Sequence, residues 1–311
     1  MPHHHSAEEF YGTYHGHSPV LLEALFNHLV AEPRRQGIAV RVVFLAGDSS
    51  MDNKYWIPHR EPSVNGYEDV LRPRTAAVPD IAHQLNKLFA ATGSGATGTR
   101  FVCINCAVEE STIGVRRKGT SLLPQDEFLR DHITPDDIIC CSVGGNDIAL
   151  KPTVATVVGV GWLSRCASAA NIAAGTAWGM GHLQTLFGED LRGYLNALCS
   201  KQRPCLVVPS VIYYPDMNAK AASWANVVLK AIGYNTTPAT VQNVIDRVVV
   251  DVRTQVTAGT VNAQAGRVAA LSEALNGTHT YDYVARVEPS AQGGIKIAQL
   301  FVKILREEGL L

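Results

Sequence analysis

Five short apolar runs recur along the chain, each bounded by turn residues or charges: Val40 to Ala46, Phe101 to Ala107, Ile138 to Val143, Cys205 to Ile212 and Val268 to Leu271. They are continuous rather than alternating, as strands buried on both faces of a parallel sheet are. Parallel neighbours need long crossovers, and the segments between the runs carry helical periodicity. Ser18-Pro19 puts a capping residue before a proline at the first helical position, and Leu21, Leu22, Leu25, Phe26 and Leu29 follow. Pro238 opens a longer helix whose Val241, Val244, Ile245, Val248, Val249, Val252 and Val256 share one face. A last helix, after Gly293-Gly294, aligns Ile297, Phe301, Ile304 and Leu305. Strands alternating with helices predict an α/β fold: a three-layer α/β/α sandwich around a central five-stranded parallel sheet.

The 311 residues, 46% of them hydrophobic, suffice for a sizeable core, and no repeat or low-complexity linker divides them. The expected organisation is an N-terminal tail and helix over 1–36 and a single domain over 37–311. A helical insertion is expected around 153–200, its Thr153 to Gly181 part rich in Ala and Gly. A formal net charge of −1 gives no footprint for nucleic acid. The short basic runs Arg34-Arg35 and Arg116-Arg117-Lys118 read as solvated faces. Seven cysteines, mostly in strand-like runs, read as buried reduced thiols, which predicts a cytoplasmic setting. Cys103 and Cys106 form a C-x-x-C, but strand alternation sends them to opposite faces, and no second pair follows at zinc spacing. The polar start MPHHHSAEEFYG does not read as a secretory signal, and its His3 to His5 run reads as a tail. Ala167 to Gly181 is uncharged but too short to span a bilayer. No cofactor motif and no metal-ligand spacing is present, and nothing speaks to oligomeric state.

In an open parallel sheet, ligands bind beyond the carboxyl ends of the strands. Polar clusters stand there in this chain: Gly47-Asp48-Ser49-Ser50, then Glu109, Glu110, Ser111 and Thr112, then Gly144-Gly145-Asn146-Asp147. VEPSAQGG, with Glu288, precedes the last helix. Each alone is ordinary turn chemistry. Together they converge on one edge.

GDSS at 47–50 and VGGNDIAL around 144–147 resemble blocks of the SGNH or GDSL hydrolase family, and the resemblance runs from about Val40 to the C-terminus. It implies a flavodoxin-like sheet of the SGNH hydrolase type and a serine esterase acting on acyl or acetyl esters without a cofactor. Ser49 maps to the nucleophile and Asn146 to the oxyanion-hole amide. NCAVEEST resembles the second block, with Glu110 where a glycine normally donates its backbone N–H. The last block departs further. Ala285 stands where the family has Asp, and Glu288 where it has His.

That departure opens alternatives. Serine is a poor nucleophile without a base to take its proton. A free glutamate titrates near about 4.3, but burial beside Asp48 and Glu110 raises it, so Glu288 can serve as a direct base. His279, with Asp282 nearby, or His59 are the histidines that a loop can bring to Ser49. Asp48, Ser50, Gly145, Asp147 and Tyr213 are the expected substrate-binding residues, with Asp52, Asn53 and Trp56 shaping the floor; Trp224 reads as core. A second reading is a catalytically inactive hydrolase fold that binds a ligand or partner. A third lets Asp48, Glu109, Glu110, Asp147 and Glu288 hold a divalent cation or a cationic substrate.

Overall fold

The computed structural model describes residues 4–93, 98–119, 121–149, 163, 167–256 and 267–311. His3, Cys166 and most of the first part of the expected insertion lie outside them. The central sheet comprises β1 (Val40–Gly47), β2 (Arg100–Asn105), β3 (Ile138–Ser142), β4 (Leu206–Val211) and β5 (Ala269–Ala270). All neighbours are parallel and the order is β2-β1-β3-β4-β5, the flavodoxin-like order. The winding reverses between β1 and β3, so a crevice opens where those two strands end.

The helices that shape the core and the site are α1 (Pro19–Phe26), α2 (Ile81–Thr92), α3 (Pro124–His132), α4 (Leu191–Leu198), α5 (Asn226–Ala231), α6 (Pro238–Gln255) and α7 (Ala291–Glu307). Alternation along β1 builds the layers. Val42, Phe44 and Ala46 face a core with Leu22 of α1, Leu129 of α3, Leu195 of α4 and Val252 of α6. Val43 and Leu45 face the other core, with Leu85 of α2 and Phe301 of α7. Cys106 belongs to the first core and Cys103 to the second, the opposite-face placement that alternation predicts. The described cysteines are free thiols.

The last helix begins earlier than Gly293-Gly294 suggests. Ser290 caps it by accepting from Gly293 N. Gly293 lies in the first turn because a Cβ there would stand 2.2 Å from the Asp282 carbonyl oxygen. At α1, Pro19 takes the first position but Ser18 makes no side-chain cap bond.

Two expectations about the surface fail. Arg116 is not solvated: it is fully buried, pairs with Asp126 at 2.7 Å and lies 4.9 Å from the Tyr194 ring centroid. The pairing is what makes burial of that charge tolerable. The Arg117 and Lys118 side chains lie outside the description. Nor are residues 4–17 a loose tail. A short helix, Ala7–Gly12, buries Phe10 and Tyr11, and His17 stacks on Phe10 at 4.0 Å. Among the described residues, no helix is long and apolar enough to cross a membrane.

Candidate active site

At the end of β1 the chain needs a residue without a side chain. Gly47 has φ +122°, and a Cβ there would lie 1.7 Å from the Ser142 carbonyl oxygen of β3. The following Asp48 ties the two strand ends together. Its carboxylate accepts from Ser50 N at 3.0 Å and Gly144 N at 3.1 Å, and Ser50 Oγ lies 2.7 Å away. Ser50 Oγ is also 2.8 Å from Ser142 Oγ. Burial raises the Asp48 carboxyl to about 6, although these hydrogen bonds pull the other way. Asp48 and Ser50 are thereby wound into the turn, and Ser49 is presented between them.

The loop after β2 is lashed to the same place. Ser111 Oγ donates to the Gly47 carbonyl at 3.0 Å, and the Asn146 side-chain amide donates to the Ser111 carbonyl at 3.0 Å. Asp147 accepts from Ile113 N at 2.7 Å and Gly114 N at 2.8 Å. Glu110 keeps a left-handed backbone, φ +60°, without being glycine. Its carboxylate accepts from the Tyr14 hydroxyl at 2.9 Å. The backbone N–H groups of Ser49 and Glu110 have no acceptor among the described residues.

The third contribution comes from the segment before α7. Tyr283–Val284 and Glu288–Pro289 pair antiparallel across a tight turn in which Ala285 and Arg286 have φ +47° and +64°. Arg286 fixes that turn: it is 1% exposed and donates to the Asp216 carbonyl, to Asn226 Oδ1 at 2.7 Å and to Asn235 Oδ1 at 3.0 Å. The Ser223 hydroxyl donates to the Ala285 carbonyl. Glu288 is delivered into the interior, 3% exposed. Burial above all, then the Asp48 and Glu110 charges, raise its carboxyl to about 7 against the opposing influence of Ser49 and Trp224. Ser49 faces it closely enough to exert that influence, yet Glu288 Oε2 has no partner at hydrogen-bond distance. Glu109 is raised too, by burial first and then by the Glu288 and Asp52 charges. Its Oε1 accepts from Trp56 Nε1 at 3.2 Å, while its Oε2 has no partner.

Two cavities meet at Glu288. The first, about 130 Å³, is lined by Asp48, Ser49, Gly145, Asn146, Tyr213 and Glu288 at its polar end, and its walls include Leu183, Ile212 and the Val241, Val244 and Ile245 face of α6. The second, about 280 Å³, is lined by Tyr14, Trp56, Glu109, Glu110, Trp224 and Glu288. Ser49, Asn146 and Glu288, from separate segments, thus share one small volume. Ser50 and Asp147 line neither cavity, because their polar atoms are engaged in holding the turns. Tyr213 lines the first, its hydroxyl held by the Val287 carbonyl at 2.6 Å.

His279 is exposed and stacks on Tyr281, His59 is exposed, and neither lines either of these two cavities; Asp282 is ion-paired to Lys296 at 2.6 Å. The five acidic residues do not gather as one set: Glu109, Glu110 and Glu288 line the second cavity, Asp48 lines only the first and Asp147 neither, and among the described residues no three His, Cys, Asp or Glu side chains form a metal-holding group. Trp224 is not core; it is 38% exposed and walls both cavities. Tyr14 had no sequence signal, since it reaches the site from a segment far away in the chain. The α6 stripe was visible in the sequence as an apolar face, but a stripe that lines a cavity looks the same as one that fills a core.

No family model matches the chain, and no curated protein matches it. Solved structures do. An extracellular lipase from Streptomyces rimosus is 16% identical at a TM-score of 0.43, covering 86% of this chain and 100% of that one. The lipase Lip_vut3 from a goat rumen metagenome is 10% identical at 0.45, covering 85% and 97%. A family 3 carbohydrate esterase from Clostridium thermocellum is 13% identical at 0.39, covering 86% and 96%. At such scores no chemistry transfers from them, and the reading of the fold stands on the strand order and the loop geometry of this chain.

Proposed function

We propose that the protein is a serine ester hydrolase of the SGNH type, with Ser49 as nucleophile, Glu288 as base, and an apolar acyl group seated in the first cavity. The observation that carries this reading is that Ser49, Asn146 and Glu288 line one cavity while Glu288 is poised near neutrality. A base works best with a pKa near the operating pH. Glu288 takes the Ser49 hydroxyl proton as Oγ bonds to the ester carbonyl carbon. The oxyanion that forms is met by the Asn146 amide and by the free N–H groups of Ser49 and Glu110. Collapse expels the alkoxide, which takes the proton from Glu288, leaving acyl-Ser49. Water then repeats the sequence: Glu288 accepts its proton, the hydroxyl adds, and Ser49 leaves with that proton, freeing the acid.

The apolar walls favour acyl groups longer than acetyl. Each methylene buried in them is worth about 0.8 kcal/mol, so kcat/KM should rise about four-fold per added carbon until the cavity fills. The test is a series of p-nitrophenyl esters with wild type and Ser49→Ala. Loss of about 10³-fold or more is expected in the variant. Equal rates would remove Ser49 from the reaction.

One observation favours a ligand-binding protein without catalysis: the buried Glu288 Oε2 has no hydrogen-bond partner in the chain, and a bound ligand would supply one. A fluorophosphonate probe separates the two readings, since an unactivated serine does not label.

A further inference from the structure

We propose that the second cavity binds a primary alkylammonium group, which makes it the site for the alcohol side of the ester. The latter clause, and only that clause, rests on the ester-hydrolase reading above.

The cavity wall combines two kinds of group that a cation wants. Glu109, Glu110 and Glu288 supply carboxyls, and Tyr14, Trp56 and Trp224 supply aromatic rings, which attract cations through their negative faces. An acidic cluster alone would say little, because most are solvated or paired. Here two of the carboxyls are 3% exposed, and each leaves one oxygen, Glu109 Oε2 and Glu288 Oε2, without a hydrogen-bond partner. Buried polar atoms of this kind nearly always have partners, and leaving one bare is costly. Nearby positive charge does not serve them: Lys54 has its ammonium 2.8 Å from both oxygens of Asp52. Crowding shows in the protonation as well, with burial and mutual repulsion raising Glu109 and Glu288 together.

The chemistry selects among cations. No metal-holding group forms among the described residues, and an aromatic wall offers a metal ion nothing comparable to oxygen ligands. A quaternary ammonium would satisfy the rings but has no N–H, so both orphan oxygens would stay bare. A primary ammonium carries three donors and offers these oxygens the N–H groups that a quaternary ion lacks. Trp224 and Glu288 also wall the first cavity, so a ligand that fills the second abuts the acyl site.

The experiment titrates the full chain with n-butylammonium, 1-butanol and tetramethylammonium, following tryptophan fluorescence and ligand-observed NMR. The expected result is that n-butylammonium binds at least ten-fold tighter than 1-butanol and several-fold tighter than tetramethylammonium, and that Glu109→Gln weakens it about ten-fold. Equal binding of 1-butanol, an unchanged affinity in folded Glu109→Gln, or tighter binding of tetramethylammonium would each overturn the proposal. If Glu109→Gln does not fold, the ranking of the three ligands on the wild type decides the proposal alone. A parallel assay compares butyryl esters of 2-aminoethanol and of ethanol. If the ammonium binds and neither ester is cleaved, the hydrolase reading fails and the cation site stands; if both esters are cleaved equally and the ammonium does not bind, the reverse holds.

Discussion

The two edges that meet at Ser49 are built in opposite ways. On the β1–β3 side nearly every polar atom is engaged: Asp48, Ser50 and Asp147 bond to backbone or to each other, and the loops are tied by Ser111 and Asn146. On the Glu288 side the turn is fixed from behind by Arg286, while the carboxyls in front keep oxygens free. The first edge holds geometry and the second holds unsatisfied chemistry. A saturated edge should respond to mutation in stability, and an unsatisfied one in proton affinity.

The largest effect should come from tightening the saturated edge beyond what it can take. Gly47→Ala places a methyl group against the Ser142 carbonyl at a backbone angle that L side chains rarely adopt. It should lose about 4 kcal/mol of stability, measured by urea unfolding. A loss below about 1 kcal/mol would mean that the two strand ends can separate freely.

Asn146→Ala sits on the same edge but faces the cavity. It should lower kcat by about 10²–10³-fold, as removal of one oxyanion donor does, with KM little changed. Its effect on folding should be only about 1 kcal/mol, the worth of its bond to the Ser111 carbonyl. A variant that keeps its activity and loses only stability would place Asn146 wholly on the structural side.

The altered edge invites the reverse change. Ala285→Asp with Glu288→His supplies an imidazole where the carboxyl stands. It should raise esterase kcat/KM about ten-fold or more at pH 7, because an imidazole oriented by the new Asp takes the proton and is stabilised as its cation, support that the lone Glu288 carboxyl lacks. Asp tolerates the left-handed backbone of position 285 better than most residues. No gain in a folded double variant would show that the pocket is adapted to the carboxyl itself.

These contrasts also explain what the sequence could disclose. The five strands were legible because buried parallel strands read as unbroken apolar runs, and β1 to β4 each begin and end within two residues of their runs. β5 was overdrawn, since only Ala269–Ala270 pairs with β4. That Ser49 and Asn146 line one cavity was legible, because their loops follow strands that the winding makes neighbours. Tyr14 and Trp224 were not, because neither lies in a periodic segment and their role arises only from folding distant loops together. Arg116 misled for a related reason: a basic run looks solvated until Asp126, ten residues on, is seen buried beneath it.

The smallest effect is the most direct reading of the unsatisfied edge. Glu288 titrates near 4.5 when free and at about 7 in the folded chain. Between those values the folded state holds the proton and the unfolded state has lost it, so the folded state binds more protons and stability falls as pH rises. Above pH 7 the full penalty, about 1–3 kcal/mol, is in force. Glu288→Gln cannot ionise and escapes it. The variant should therefore be more stable than wild type at pH 8 by about that amount, with the difference vanishing near pH 4, while its esterase activity collapses. A stability difference that is flat from pH 4 to pH 8 would mean that Glu288 is an ordinary carboxylate, and the base would have to be sought elsewhere.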